Sequence, residues 1–372
     1  MLRSLHDASN RLSGATNDRA DRHRRGPPAT QWVSIFVRPA LLVTLAALVA
    51  ACAGIPIDDR AEAPIPAELM RQMAERGMSP ADPILIRIYK KESELEVWKR
   101  DSSGRYALLK KYPLCRWSGK LGPKKQEGDR QAPEGFYSVA AAQLNPRSQY
   151  YLSFNLGYPN RLEKALGYEG SALMVHGACT SSGCFAMTND GITEVYALAR
   201  EALAAGQVGF QVQSLPFRMT PRNFALHRED PNIAFWQNLK EGTDIFAVTK
   251  VPPRVSACGG RYRFYGASET VTTDGNPLAP CQATPNADAD EASLVARHRL
   301  EDATAIARLS QSEPAVRSAY ADGGMHGTFR QYLRRFGPQK LASVTSANIE
   351  VSRPDAALAD PFVGPDDSND PE

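Results

Sequence analysis

An imidazole and a thiol stand eight positions apart at His176 and Cys184. Between them run Gly177, Ala178, Cys179, Thr180, Ser181, Ser182 and Gly183, small residues suited to a tight loop. The apolar Leu173-Met174-Val175 reads as a strand that carries His176 to its end, and Cys184 falls just before a helical pattern. A thiol is a strong nucleophile only as its thiolate, so it needs a base and a field favouring charge. A histidine with nearby backbone N–H groups supplies both. On this reading Cys184 is the nucleophile and His176 the general base and acid. Gly183, lacking Cβ, lets amides at Gly183 and Cys184 turn toward a developing oxyanion. Gly177 leaves a carbonyl to orient the imidazole, a task that Asp or Asn performs in other nucleophile–histidine pairs.

The same segment admits a second chemistry. His176, Cys179 and Cys184 are three ligands of the kind structural zinc accepts, but no fourth is evident, and His227, His298 and His326 show no metal spacing. Neither a metal nor an organic cofactor is therefore expected. Cys179 is a second functional thiol, a partner for Cys184 under oxidation, or a small buried residue, with burial the first expectation. Cys115 lies in an apolar strand and reads as core. Cys258 and Cys281 flank a loop, and spacing alone does not pair them. Glu134 falls in a turn and is expected at the surface with no catalytic role. Trp98, Trp117 and Trp236 read as core aromatics. Tyr150, Tyr151 and Tyr158 either line a groove entrance or pack a loop.

The elements that must position these residues are short strands, then helices. Ile84-Leu85-Ile86-Arg87-Ile88-Tyr89 and the alternating Glu94-Leu95-Glu96-Val97-Trp98 form a hairpin across a polar turn. Further strands are expected at 105–109, 112–117, 135–139 and 208–212. Successive strands with turn signals argue an α+β domain with a mainly antiparallel sheet and flanking helices. Thr188 or Asp190 caps a helix whose apolar stripe runs through Ile192, Val195, Leu198, Ala199 and Ala202, with Gly206 as its stop. Thr220-Pro221 opens a second helix, and 235–239 suggests a third. The chain divides into a signal segment 1–51, a tether 52–82 with a short helix at 66–76, a domain 83–266, and a low-complexity, partly helical and partly disordered tail 267–372.

Of the 372 residues 42% are hydrophobic, enough for a core, and the formal net charge of +3 is too small to imply nucleic acid as a partner. The apolar run at 32–51 follows Arg19, Arg22, Arg24 and Arg25, which is a secretory pattern. Its end, Leu48-Val49-Ala50-Ala51-Cys52, resembles the lipobox of bacterial lipoproteins. Cys52 would then carry a lipid anchor at the periplasmic side of the outer membrane, since Ala53 rather than an aspartate follows. The alternative, an uncleaved membrane helix, is interrupted by Arg38 and Pro39.

His-Gly followed by Ser-x-Gly-Cys, here His176-Gly177 and Ser181-Ser182-Gly183-Cys184, resembles the signature of the L,D-transpeptidase (YkuD) superfamily. The segment 176–189 is especially similar to its YafK branch, as are 118–124, Gly128-Asp129, 132–137, 158–160 and 216–220. The resemblance spans about 83–264. It implies a β-rich catalytic domain in which Cys184 attacks the carbonyl at the L-centre of meso-diaminopimelate in a peptidoglycan stem peptide, giving a thioester. An amine then completes transfer, or water completes hydrolysis. Many crosslinking members carry Arg or Asn where Ala186 stands, and the branch includes an amidase that releases a wall-attached lipoprotein. Hydrolysis is thus the expected reaction and such a lipoprotein a further partner; a wall-binding lipoprotein without turnover is the alternative of a different class. Ser182, Tyr158 and Arg116 are assigned to binding. The cations Lys110, Lys111, Arg116, Lys120, Lys124, Lys125 and Arg130 either meet the acidic stem or form a solvated face, the commoner case.

Overall fold

A computed structural model describes residues 58–267, 269, 275–282, 289–316 and 322–358. The expected signal segment and the lipidation site Cys52 lie outside them. The strands are β1 (Ile84–Tyr89), β2 (Glu94–Arg100), β3 (Tyr106–Pro113), β4 (Arg116–Trp117), β5 (Gly135–Val139), β6 (Leu144–Ser148), β7 (Tyr151–Asn155), β8 (Met174–His176), β9 (Phe185–Ala186), β10 (Phe210–Leu215), β11 (Arg254–Cys258) and β12 (Arg261–Tyr265). The helices are α1 (Ala67–Glu75), α2 (Arg161–Ala165), α3 (Asn189–Ala204), α4 (Pro221–Leu226), α5 (Ile233–Thr249), α6 (Ala289–Ser312), α7 (Gly327–Thr345) and α8 (Pro354–Leu358). Two five-stranded sheets run in the orders β3-β2-β1-β10-β5 and β4-β9-β8-β7-β6, and β11 with β12 forms a separate hairpin. Pairing is antiparallel except for β1 on β10 and β8 on β9, so the fold is α+β and mainly antiparallel.

Local sequence explains most of this. Five of the six β1 residues are buried, as a central strand covered on both faces requires. In β2 the alternation breaks at Glu96, which is buried because its carboxylate receives Arg218 Nη1 at 2.7 Å and Trp98 Nε1 at 2.7 Å. Trp98 itself stays half-exposed rather than entering the core. Thr188 caps α3, its hydroxyl accepting the Gly191 N–H, and Ile192, Val195, Leu198, Ala199 and Ala202 bury one stripe against the sheets. Each large apolar side chain so buried contributes roughly 2 kcal/mol. Thr220 and Pro221 open α4 as the sequence indicates.

Three expectations are corrected. The segment read as a tether is part of the domain from Asp58 on: Leu69 and Met73 of α1, with Ile65 and Met78, join the main core. The segment read as a tail is packed over its described helices. Asp302 of α6 meets Lys240 of α5 at 2.5 Å, and Leu333, Leu341, Val351 and Ala357 form a second small core. Glu134 is not a surface residue. It is fully buried against Lys90 Nζ at 2.9 Å, and Trp236 Nε1 donates to it at 2.8 Å. Cys258 and Cys281, left open by their spacing, are joined as a disulfide.

Candidate functional site

The site is built where β8 lies parallel to β9, in the register Val175 with Phe185 and His176 with Ala186. Val175 and Phe185 are buried and fix the strand pair in the core. His176, at the end of β8, is 2% exposed, and the half-exposed Tyr150 covers its ring at a centroid distance of 4.7 Å. Its Nδ1 lies 2.5 Å from the Gly177 carbonyl. A carbonyl only accepts, so Nδ1 carries the proton and Nε2 keeps a lone pair. Any side chain at Gly177 would collide with its surroundings, its Cβ falling 2.8 Å from Asn189 Oδ1. Asn189, missed in the sequence reading, also receives the Ala178 N–H at 3.0 Å and holds the loop leaving the histidine.

Cys184 immediately precedes β9, and its Sγ receives the Met174 N–H at 3.4 Å. Continuing the strand register sets it opposite Met174, on the same face as His176. With strands about 4.8 Å apart and a rise of about 3.3 Å per residue, such diagonal neighbours lie about 8 Å apart at the backbone. Ser181 braces the approach: its hydroxyl donates to Cys184 O at 2.7 Å and accepts the Gly183 N–H at 3.3 Å. Of the two amides expected to face an oxyanion, that of Gly183 is thus engaged. The Cys184 N–H has no hydrogen-bond partner among the described residues. Gly183 keeps a positive φ of 133°, the backbone turn anticipated for it.

Cys115 and Cys179 are neither simple core residues nor thiols. They form a disulfide that ties the strand-like stretch before Trp117 to the loop between His176 and Cys184, with Phe329 of α7 packed on it. Cys179 is therefore not available as a zinc ligand beside His176. Cys184 is the free cysteine of the described residues. His298, with no metal spacing in sequence, meets Asp244 and Asp302, where the Lys240 ammonium already lies 2.5 Å from each carboxylate.

Burial dominates the electrostatics. It pushes the His176 imidazolium down to about 4, against the opposing pull of the Gly177 carbonyl. It pushes the Cys184 thiol up, countered by the Met174 N–H and the charge of Lys124. The resting pair is a neutral imidazole and a neutral thiol, so Cys184 acting as a nucleophile has to give up its proton during attack. Two pH signatures are expected. The acid limb of kcat/KM should appear only as pH falls toward 4, where the imidazole protonates. Alkylation of Cys184 by iodoacetamide should accelerate only above the ordinary thiol value of about 8.5. Fast alkylation already level at pH 6 would mean a preformed thiolate and contradict this.

The residues assigned to binding fare unevenly. Ser182 is exposed on the nucleophile loop, its hydroxyl accepting from Arg130 Nη1 at 3.2 Å. Tyr158 is buried and its hydroxyl donates to Lys124 O at 3.0 Å, so it lines no entrance. Arg116 is fully buried, donating to Trp117 O, Asp322 O and Ser352 O, and cannot reach a substrate. The remaining cations are not one solvated face either, since Lys124 is buried on Asp129 at 2.5 Å.

A model of the L,D-transpeptidase catalytic domain family (YkuD) matches residues 83–213, which hold both His176 and Cys184. The provisionally named L,D-transpeptidase YafK of Escherichia coli strain K12 is 47% identical over 180 residues, covering 48% of this chain and 73% of that protein. Solved structures match as well. The helical cell shape determining protein Pgp2 (K307A mutant) of Campylobacter jejuni shares 21% identity at a TM-score of 0.31, covering 44% of this chain and 58% of the other, under two thirds of its length. Bdellovibrio bacteriovorus Bd1075 shares 15% at a TM-score of 0.27, covering 47% and 76%. Those scores are too low to bear on the fold. The extent and identity of the YafK match, together with the family signature, place this chain in the L,D-transpeptidase (YkuD) family, in its YafK-like branch.

Proposed function

We propose that this chain is a cysteine hydrolase of peptidoglycan that cleaves an amide at the L-centre carbonyl of meso-diaminopimelate, freeing a lipoprotein attached there. The observation that carries the reading is the Nδ1–H bond from His176 to Gly177 O, which leaves Nε2 basic on the face that Cys184 shares. As the sulfur bonds to the carbonyl carbon, His176 Nε2 takes the thiol proton. The Cys184 N–H stabilises the oxyanion. Collapse breaks the C–N bond, and the imidazolium protonates the leaving amine. Water, deprotonated by the same imidazole, then hydrolyses the thioester.

Hydrolysis is favoured over transfer by Ala186, a buried methyl packed beside the Cys115–Cys179 link where crosslinking relatives carry Arg or Asn. The two disulfides suit an oxidising compartment, in keeping with an anchored envelope protein facing the periplasm. Arg130 supplies positive charge beside the nucleophile loop for an acidic stem peptide. The test is incubation of the purified protein with muropeptides ending in lysine or D-alanine, read by mass spectrometry. Free tripeptide, with release of the lysine or D-alanine, is expected as the main product; crosslinked dimers would replace hydrolysis with transfer.

A further inference from the structure

The nucleophile loop is gripped by a part of the chain that lies beyond the residues matched by the family. Residues 322–352, which contribute most of the second small core, also bond to the catalytic domain at 114–119 and at Ser181. Gly323 lies against the backbone of Trp117 and Ser118, where an added Cβ would fall 1.8 Å from Trp117 O, so no side chain fits. Trp117 N–H donates to Gly324 O at 3.0 Å. At the other end, Ser352 Oγ accepts the Ser181 N–H at 2.9 Å and donates to Ser181 O at 3.1 Å, closing on both sides of one residue. The buried Arg116 guanidinium joins the two ends, donating to Asp322 O at 3.0 Å and Ser352 O at 2.9 Å.

Ser181 is the residue whose hydroxyl holds Cys184 O and the Gly183 N–H. Its orientation therefore decides where the Cys184 sulfur and amide point. We propose that Ser352 is a positioning residue for Cys184, and that 322–352 is a strap completing the active site from outside the family domain. This rests on Cys184 being the nucleophile. Ser352 touches no reacting atom; it acts through Ser181. Misplacement of a reacting group by a fraction of its bond reach costs rate without costing ground-state binding, so the effect belongs in kcat.

The experiment compares Ser352→Ala and Ser352→Thr with the parent in the full chain. Three readouts are kcat and KM on lysine-terminated muropeptide, the rate of Cys184 alkylation by iodoacetamide, and the thermal melting temperature. Ser352→Ala should lower kcat about ten-fold with KM within about two-fold, and change the alkylation rate at least about three-fold, while Ser352→Thr restores both. Parental kcat and alkylation in Ser352→Ala would overturn the strap, as would a loss that only follows the melting temperature and is not restored by threonine. If the parent itself shows no turnover of muropeptide, the proposed function fails on its own. The alkylation rate then decides the strap, an unchanged rate overturning it and a threonine-reversible change supporting it.

Discussion

Cys184→Ala is expected to lower muropeptide turnover at least about a thousand-fold while leaving the melting temperature nearly unchanged, because in the proposed reaction the sulfur supplies the covalent step and it gives little of the packing. The residue keeps partial exposure and its contacts are one amide and one carbonyl, so its truncation opens little of the core. Cys115→Ser should do the reverse. It opens a disulfide that closes a loop of sequence separation 64, a loss of about 2–4 kcal/mol, with most turnover retained where the protein stays folded. Steady-state kinetics beside thermal melts separate the two. Equal activity losses at intact folding would refute this division of roles. A Cys184→Ser protein that still performed its cellular task would favour wall binding without turnover.

Lys90→Ala is expected to destabilise the fold by about 3–5 kcal/mol, since it strands the Glu134 carboxylate in the interior. Both side chains are 0% exposed. The ammonium donates to the carbonyls of Lys120 at 2.7 Å, Gly122 at 3.1 Å and Ala132 at 2.9 Å, while Glu134 receives the Gly122 N–H at 2.7 Å. Burial pushes the Lys90 ammonium down in pKa, and the Glu134 charge is the chief opposing influence. Replacing both partners together, as Lys90→Met with Glu134→Leu, should cost far less, because no charge is left unpaired. Urea unfolding of the three proteins checks this; a Lys90→Ala loss under about 1 kcal/mol would contradict it. The pair also anchors the segment presenting Arg130, so the single variant should weaken substrate handling before it unfolds.

His176, Gly177 and Cys184 were legible because their roles depend on local spacing: a strand end, a small-residue loop and a backbone carbonyl next door. The first hairpin, the cap at Thr188 and the Thr220-Pro221 helix start were legible for the same reason. What escaped is long-range or charged. The pairing of β4 with β9, which brings Cys115 to Cys179, leaves no local periodicity to detect. Glu134 and Arg116 read as surface or ligand-facing because charge is usually solvated, and only coordinates reveal the carbonyls and counter-ions that satisfy them inside. The composition of 267–372 concealed a segment whose glycines and serine matter through what they touch far back in the chain, Gly323 and Gly324 at Trp117 and Ser352 at Ser181.

The Cys115–Cys179 link also poses a problem of maturation. While the chain is still unfolded, Cys179 has a nearer mate in Cys184, five positions downstream, and short loops close more readily than long ones. That wrong union would silence the enzyme before it ever met its substrate. Correct β4–β9 assembly therefore competes with a dead end, and the active yield depends on how well thiol exchange rescues mismatched chains. Cys52 aside, a single reactive sulfhydryl per molecule, mapped to Cys184, marks a competent preparation.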